Sequence, residues 1–376
     1  MAYKTTGQST LTETFGDFVV YRNLIPAHPR LPSVDALRSQ LGLQPGTLPR
    51  KAEPLYGAVV AEMLRHARRL EIPEGTIERL VYVGDTRMND GTAFRNLCTA
   101  GNWPGWGFIG ADDLTSPAHT QVEGPLYLAN RWSALPDFLS FLQSQGFPLD
   151  DGTAVVIDVD KTAIGARGRN DKVIDQARVE SVKRTVAELL GTCFDETAFR
   201  TAYDELNGPD YHAFTADNQD YLAYICLLLG AGLWELEALI EEIKNGSMQS
   251  FQDFISRVQG RRPELTRSGL TSIHDSVWER VEAGDPTPFK AFRYNEYLTT
   301  MARFGDLPGA SPEEVLTQRI VITEEVRGLA AVLKGRGCLI FGVSDKPDEA
   351  SVPSPEQARD GKKPLHRLET LAVKEV

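Results

Sequence analysis

The sequence predicts an α/β protein, with a parallel β-sheet core assembled from both ends of the chain and a long helical insertion between them. Two observations carry this expectation. Three short apolar runs each end on a carboxylate or a hydroxyl, and the long stretch between the second and third runs has helical periodicity.

The runs are Leu80-Val81-Tyr82-Val83, Ala154-Val155-Val156-Ile157 and Cys338-Leu339-Ile340-Phe341-Gly342-Val343. Each reads as a strand buried on both faces, because β-branched and aromatic side chains suit the pleat and nothing polar faces water. The first leads into Gly84-Asp85-Thr86-Arg87-Met88-Asn89-Asp90, the second into Asp158-Val159-Asp160-Lys161-Thr162, and the third into Ser344-Asp345-Lys346. Ligands of open α/β sheets bind outside the carboxyl ends of the strands, so these residues are candidates for one shared site. A single strand ending in Asp is equally a turn or the N-cap of a helix. Three together, with DxDxT spacing at Asp158-Asp160-Thr162 and GDxxxxD spacing from Gly84 to Asp90, form a constellation. Asp158 and Asp160 repel one another unless a positive charge holds them.

These motifs resemble those of the haloacid dehalogenase-like phosphohydrolase superfamily. Its first motif, DxDx(T/V), is matched by Asp158-Val159-Asp160-Lys161-Thr162, its second by Ser344, and its fourth, an acidic pair after a strand, by Asp85 and Asp90. The third motif is a Lys before the fourth-motif strand. Lys51, ahead of a helical segment from Leu55 to Leu70, fits it, with Lys346 as a competitor. Motifs three and four precede one and two here, which is the order of a circular permutant. The segment Pro125 to Gln143 then looks like the superfamily's last strand and helix.

The resemblance implies a three-layer, Rossmann-like parallel-sheet core from residues 1–164 and 330–376, circularly permuted, with an α-helical cap over 165–329. It further implies a Mg²⁺-dependent phosphatase acting on a small phosphomonoester through an aspartyl-phosphate. Asp158 would be nucleophile and metal ligand. Asp160 would be general acid and base, with its backbone carbonyl on the metal. Lys51 and Ser344 would hold the phosphoryl oxygens, Thr162 would join the substrate site, and Asp85 and Asp90 would complete or orient the metal shell. Members that cleave carbon–halogen bonds lack the second aspartate, so Asp160 favours phosphoryl transfer. A phosphomutase or phosphotransferase acting on a sugar phosphate, and a non-catalytic binding protein of the same fold, remain alternatives.

Within the insertion, Val173 to Leu190 and Phe251 to Val258 carry helical spacing. Arg167 or Arg169, just after motif one, is placed to reach a substrate anion, or else belongs to a solvated hinge. Phe289 to Tyr297 mixes basic and aromatic residues, as a binding surface does, but its spacing also suits an amphipathic helix with its rings inward, the reading we favour. His212, His274 and His366 have no partners at ligand spacing.

Composition sets further bounds. A chain of 376 residues exceeds one ordinary core, so two domains are expected. The net charge of −12 argues against a nucleic-acid partner while leaving a small phosphorylated substrate open. Cys98, Cys193, Cys226 and Cys338 lie far apart and fit reduced thiols of a cytoplasmic protein. The N-terminal MAYKTTGQST has no apolar signal core, and the sequon Asn245-Gly246-Ser247 is read as chance. Tyr221 to Ile240 is apolar but interrupted by Glu235 and Glu237, so it reads as a buried helix and no membrane contact is expected. Gly230-Ala231-Gly232 within it is no dinucleotide loop, since neither a third glycine nor a preceding strand is present.

Overall fold

A computed structural model describes residues 2–376 and divides the chain into two units. One contains residues up to Gln176 together with Thr300–Val376; the other is Ala177–Thr299.

Among the described residues the ten strands in chain order are β1 (Tyr3–Ser9), β2 (Val19–Val20), β3 (Arg79–Gly84), β4 (Gly105–Gly110), β5 (Thr120–Glu123), β6 (Leu126–Ala129), β7 (Thr153–Asp158), β8 (Ile322–Thr323), β9 (Leu339–Val343) and β10 (Thr370–Glu375). All lie in the first unit. Seven form a sheet in the order β2-β9-β7-β3-β4-β6-β5, parallel throughout except for the antiparallel edge pair β5–β6. β1, β10 and β8 form a second, three-stranded sheet in which β1 and β10 run antiparallel.

The apolar runs became strands because each is covered on both faces. All six residues of β7 are buried, as are all five of β9. Successive side chains point to opposite faces. Leu80 and Tyr82 of β3, Ala154 and Val156 of β7 and Leu339 and Phe341 of β9 share a core with Tyr56, Val59, Val60, Met63 and Leu64 of helix Pro54–Glu71 and with Phe94 and Leu97 of helix Asp90–Gly101. On the other face Phe108 of β4 stacks on Tyr127 and meets Phe138 of helix Leu135–Ser144. Burying each such side chain contributes roughly 1.5–3 kcal/mol, and the outcome is an α/β fold with helices on both sides of the sheet.

The sheet order has one consequence for function. From β3 the chain moves outward to β4 and β6, then returns to the other side of β3 as β7 and continues outward to β9. The β3/β7 boundary is therefore the topological switch point, where connections leave in opposite directions and a crevice opens at the strand ends. Asp85 and Asp158 are the residues delivered there.

The second unit is helical: among the described residues no strand falls between Ala177 and Thr299. Its core joins Leu222–Leu228 with Phe251, Phe254, Ile255, Phe289 and Phe292. The apolar stretch from Tyr221 to Ile240 is two helices, Gln219–Gly230 and Leu236–Lys244, and no helix of the described residues is long and apolar enough to cross a membrane. Phe292 and Tyr297 point inward on helix Lys290–Met301, and Arg293 is buried with them against Asp220 and Glu296, as expected of an amphipathic packing helix.

The expected insertion boundaries, 165 and 329, move inward to 177 and 299. The cause is a set of contacts that tie both flanks into the sheet unit. Gly165 N donates to Val321 O, the Asn170 side chain bonds Leu316 O, Arg319 O and Val321 N, and Thr323 N donates to Ala163 O. A strand as short as β8 leaves no alternation to read in a sequence.

None of the four cysteines forms a disulfide. His274 and His366 are buried and hydrogen-bonded, to Tyr224 and Gln259 and to Tyr21 and Asp17 respectively, and so fill structural places.

Candidate functional site

Register brings the motif strands together. Asp158 pairs with Val343 across β7 and β9, so Ser344 follows immediately, and Ile157 pairs with Val83 across β7 and β3, two residues before Asp85. Lys51 arrives from the loop ahead of helix Pro54–Glu71. Its ammonium is buried and lies 2.5 Å from Asp158 Oδ1 and 2.7 Å from Asp90 Oδ1. Lys51 is thus bonded to Asp158, and the Lys346 backbone donates to the Ser344 hydroxyl at 3.0 Å.

Asp90 opens helix Asp90–Gly101, where the helix dipole favours a carboxylate. Both of its oxygens are saturated. Oδ1 accepts from Lys51 and from the Tyr82 hydroxyl, and Oδ2 accepts from the backbone of Asp85 and from the backbone and hydroxyl of Thr86. Gly84 makes the tight return possible: a Cβ there would sit 2.5 Å from both Cβ and Cγ of Asp90.

One carboxylate oxygen from each of Asp85, Asp90 and Asp158 lies within 4.8 Å of the others. Against these three stand two cations, Lys51 and Arg167, the latter donating through Nε to Asp85 Oδ2 at 2.5 Å. With every group ionised, one negative charge is in surplus. Its consequences are visible on each carboxyl. Burial opposes ionisation of Asp90, yet the Lys51 ammonium holds it well below the usual range. Burial and the neighbouring carboxylates push Asp158 far up despite Lys51, while burial and Asp90 push Asp85 up to about 7 despite Arg167. Lys51 itself stays charged, since Asp158 and Asp90 outweigh its burial. The surplus charge thus favours uptake of a proton at Asp158 or Asp85, where a cation of higher charge can compete for the same oxygens.

The other expected residues are nearby on the chain but differ in setting. Asp160 is partly exposed, stands outside the acidic trio and, among the described residues, its carboxylate has no hydrogen-bond partner. Lys161, with φ 64°, turns the loop between Asp160 and Thr162 and pairs with Asp175. Thr162 is fully buried with its hydroxyl unpartnered, and its carbonyl accepts from Thr323. Arg169 does not face a ligand. It is buried in an ion-pair network with Asp112 and Glu325. Gly168 lets this loop press on Asp112, because a Cβ at its φ of +77° would lie 1.9 Å from Asp112 O.

Sequence reasoning passed over three contributors. Tyr82 and Thr86 lock Asp90, and Tyr56, whose buried hydroxyl has no partner, lies in the field of Lys51 and Asp158. Tyr82 and Tyr56 occupy ordinary core positions of a strand and a helix, so nothing local distinguishes them; Thr86, next to Asp85, offers only its place in the GDxxxxD run. No family model, no curated protein and no solved structure matches the chain.

Proposed function

We propose that this chain is a phosphomonoesterase of the haloacid dehalogenase-like type, in circularly permuted motif order, working through an aspartyl-phosphate on Asp158. The observation that carries the proposal is the Lys51 ammonium joined to both Asp158 and Asp90 beside Asp85. It supports the third-motif assignment, which sequence left open between two lysines.

The donor set fits Mg²⁺, a hard cation that takes oxygen ligands and keeps several waters. Asp158 and Asp85 would hold it, together with the main chain at Asp160, while Asp90, with both oxygens taken by protein donors, orients Lys51 and the Asp85 loop. Bound Mg²⁺ would supply charge neutralisation on the transferring phosphoryl group.

The chain's own residues perform the remaining work. Asp158 attacks phosphorus as the ester oxygen departs, and Asp160, free of protein partners, gives that oxygen its proton. Asp160 then takes a proton from the water that cleaves the acyl phosphate, which returns Asp158 as a carboxylate. Lys51 and the Ser344 hydroxyl bind phosphoryl oxygens, and Thr162 lies deeper, supporting the motif loop through its carbonyl.

The test is a panel of small phosphomonoesters assayed with and without Mg²⁺, using the natural chain and Asp158→Asn. We expect Mg²⁺-dependent phosphate release by the natural chain and none by the folded variant. Undiminished release by Asp158→Asn, or no release from any ester, overturns the proposal.

A further inference from the structure

Arg167 is built differently from the other cations near the site. Its main chain is fixed: its N–H donates to Lys161 O at 2.8 Å, and its carbonyl accepts from Asp112 N at 2.9 Å and from the buried Trp132 Nε1 at 3.1 Å. Its side chain is 38% exposed and its guanidinium rests on Asp85, whose side chain is only 7% exposed. A rigid anchor thus carries a solvent-facing head paired with one of the three clustered carboxylates. Lys51, by contrast, is buried between its two partners.

A divalent cation drawn to the trio needs Asp85, and Asp85 is the partner of Arg167. The two compete for one carboxylate. A guanidinium displaced from it keeps its charge, and its planar fork matches two oxygens of a tetrahedral oxyanion.

We propose that Arg167 is the phosphoryl-binding residue whose availability the metal sets: a cation on Asp85 frees the guanidinium, which then captures the substrate phosphate. This rests on the functional reading above and adds a coupling to it. Arg167 weakens binding of the cation alone and strengthens binding of cation and phosphate together.

The experiment titrates Mn²⁺ by electron paramagnetic resonance into the full chain, Arg167→Ala and Arg167→Lys, each with and without inorganic phosphate. The loop at Arg167 is held by its own backbone bonds, so both variants should fold, as circular dichroism will show. Arg167→Ala should bind Mn²⁺ alone more tightly, on the order of five- to fifty-fold, and lose most of the mutual enhancement between Mn²⁺ and phosphate. Arg167→Lys keeps a charge near Asp85 but not the bidentate fork, so its Mn²⁺ affinity should stay close to that of the natural chain while the enhancement falls. Mn²⁺ binding by the natural chain that Arg167→Ala leaves unchanged or weakens overturns the coupling alone. Absence of Mn²⁺ binding by the natural chain overturns the metal-centre reading and the coupling with it.

Discussion

Lys51 Nζ lies 2.5 Å from Asp158 Oδ1 and 2.7 Å from Asp90 Oδ1, joining residues 107 and 39 positions away in one buried ion pair network. Taking an ammonium and two carboxylates out of water is costly, and only their mutual attraction and hydrogen bonds offset it.

Removing the cation should therefore destabilise the fold in a pH-dependent way. Lys51→Met leaves the buried Asp90 carboxylate without its counter-ion, which costs about 3–5 kcal/mol near neutral pH. At pH 5 the cost shrinks, because Asp90, no longer held low by the Lys51 ammonium, takes up a proton as pH falls. Urea denaturation at pH 7.5 and pH 5 measures the difference, and equal losses at both would count against the charge balance described here.

Gly84→Ala should damage the site more than the fold. The added methyl would meet Asp90 at 2.5 Å, and Asp90 must shift or the strand end must bend. Overpacking of this kind costs about 1–3 kcal/mol. Under the proposed phosphatase reading, ester hydrolysis should fall much further than thermal stability suggests, since Asp90 holds Lys51 in place.

The proton on Asp85 makes cation binding pH-dependent. Its carboxyl, pushed up to about 7, must ionise before a cation can take it, so affinity should rise by about tenfold per pH unit below 7, with the raised Asp158 carboxyl adding to the rise. Stability without added cation should run the opposite way. A carboxyl raised in the fold contributes fully below the ordinary carboxylate range, and that contribution is lost as pH climbs to about 7. Mn²⁺ titrations and thermal melts between pH 4 and 8.5 give both slopes. A flat binding profile would exclude Asp85 as a ligand.

Asp160→Asn tests the assigned proton donor. Esters with poor alkoxide leaving groups should slow by on the order of a hundred- to ten-thousand-fold, and an aryl phosphate far less. Because the same carboxylate activates water in the second step, the informative quantity is the pre-steady-state burst of leaving group. Equal loss of burst rate for alkyl and aryl esters would leave Asp160 no role as an acid.

The sequence by itself determined the parts of this protein whose physics is local. Apolar β-branched runs at 80–83, 154–157 and 338–343 cannot face water on either side, so they became central strands, and the polar residues that end them fell at one edge of the sheet. Helical spacing in the insertion likewise announced helices, because it is a property of neighbouring residues. What the tertiary structure decided depended on partners far along the chain. Lys346 lies two residues from Ser344 and Lys51 34 residues before Asp85, and it is the path of the loop before helix Pro54–Glu71 that puts Lys51 on Asp158. Arg167 and Arg169, two residues apart, diverge for the same kind of reason: Gly168 turns the chain against Asp112, which sends one guanidinium into a buried network and leaves the other over Asp85. The edges of the helical unit were hidden as well, because the two-residue strand β8 pairs with β10 about 50 residues on and the side chain of Asn170 bonds a segment about 150 residues on, and a hydrogen bond between distant residues leaves no periodicity in the sequence that makes it.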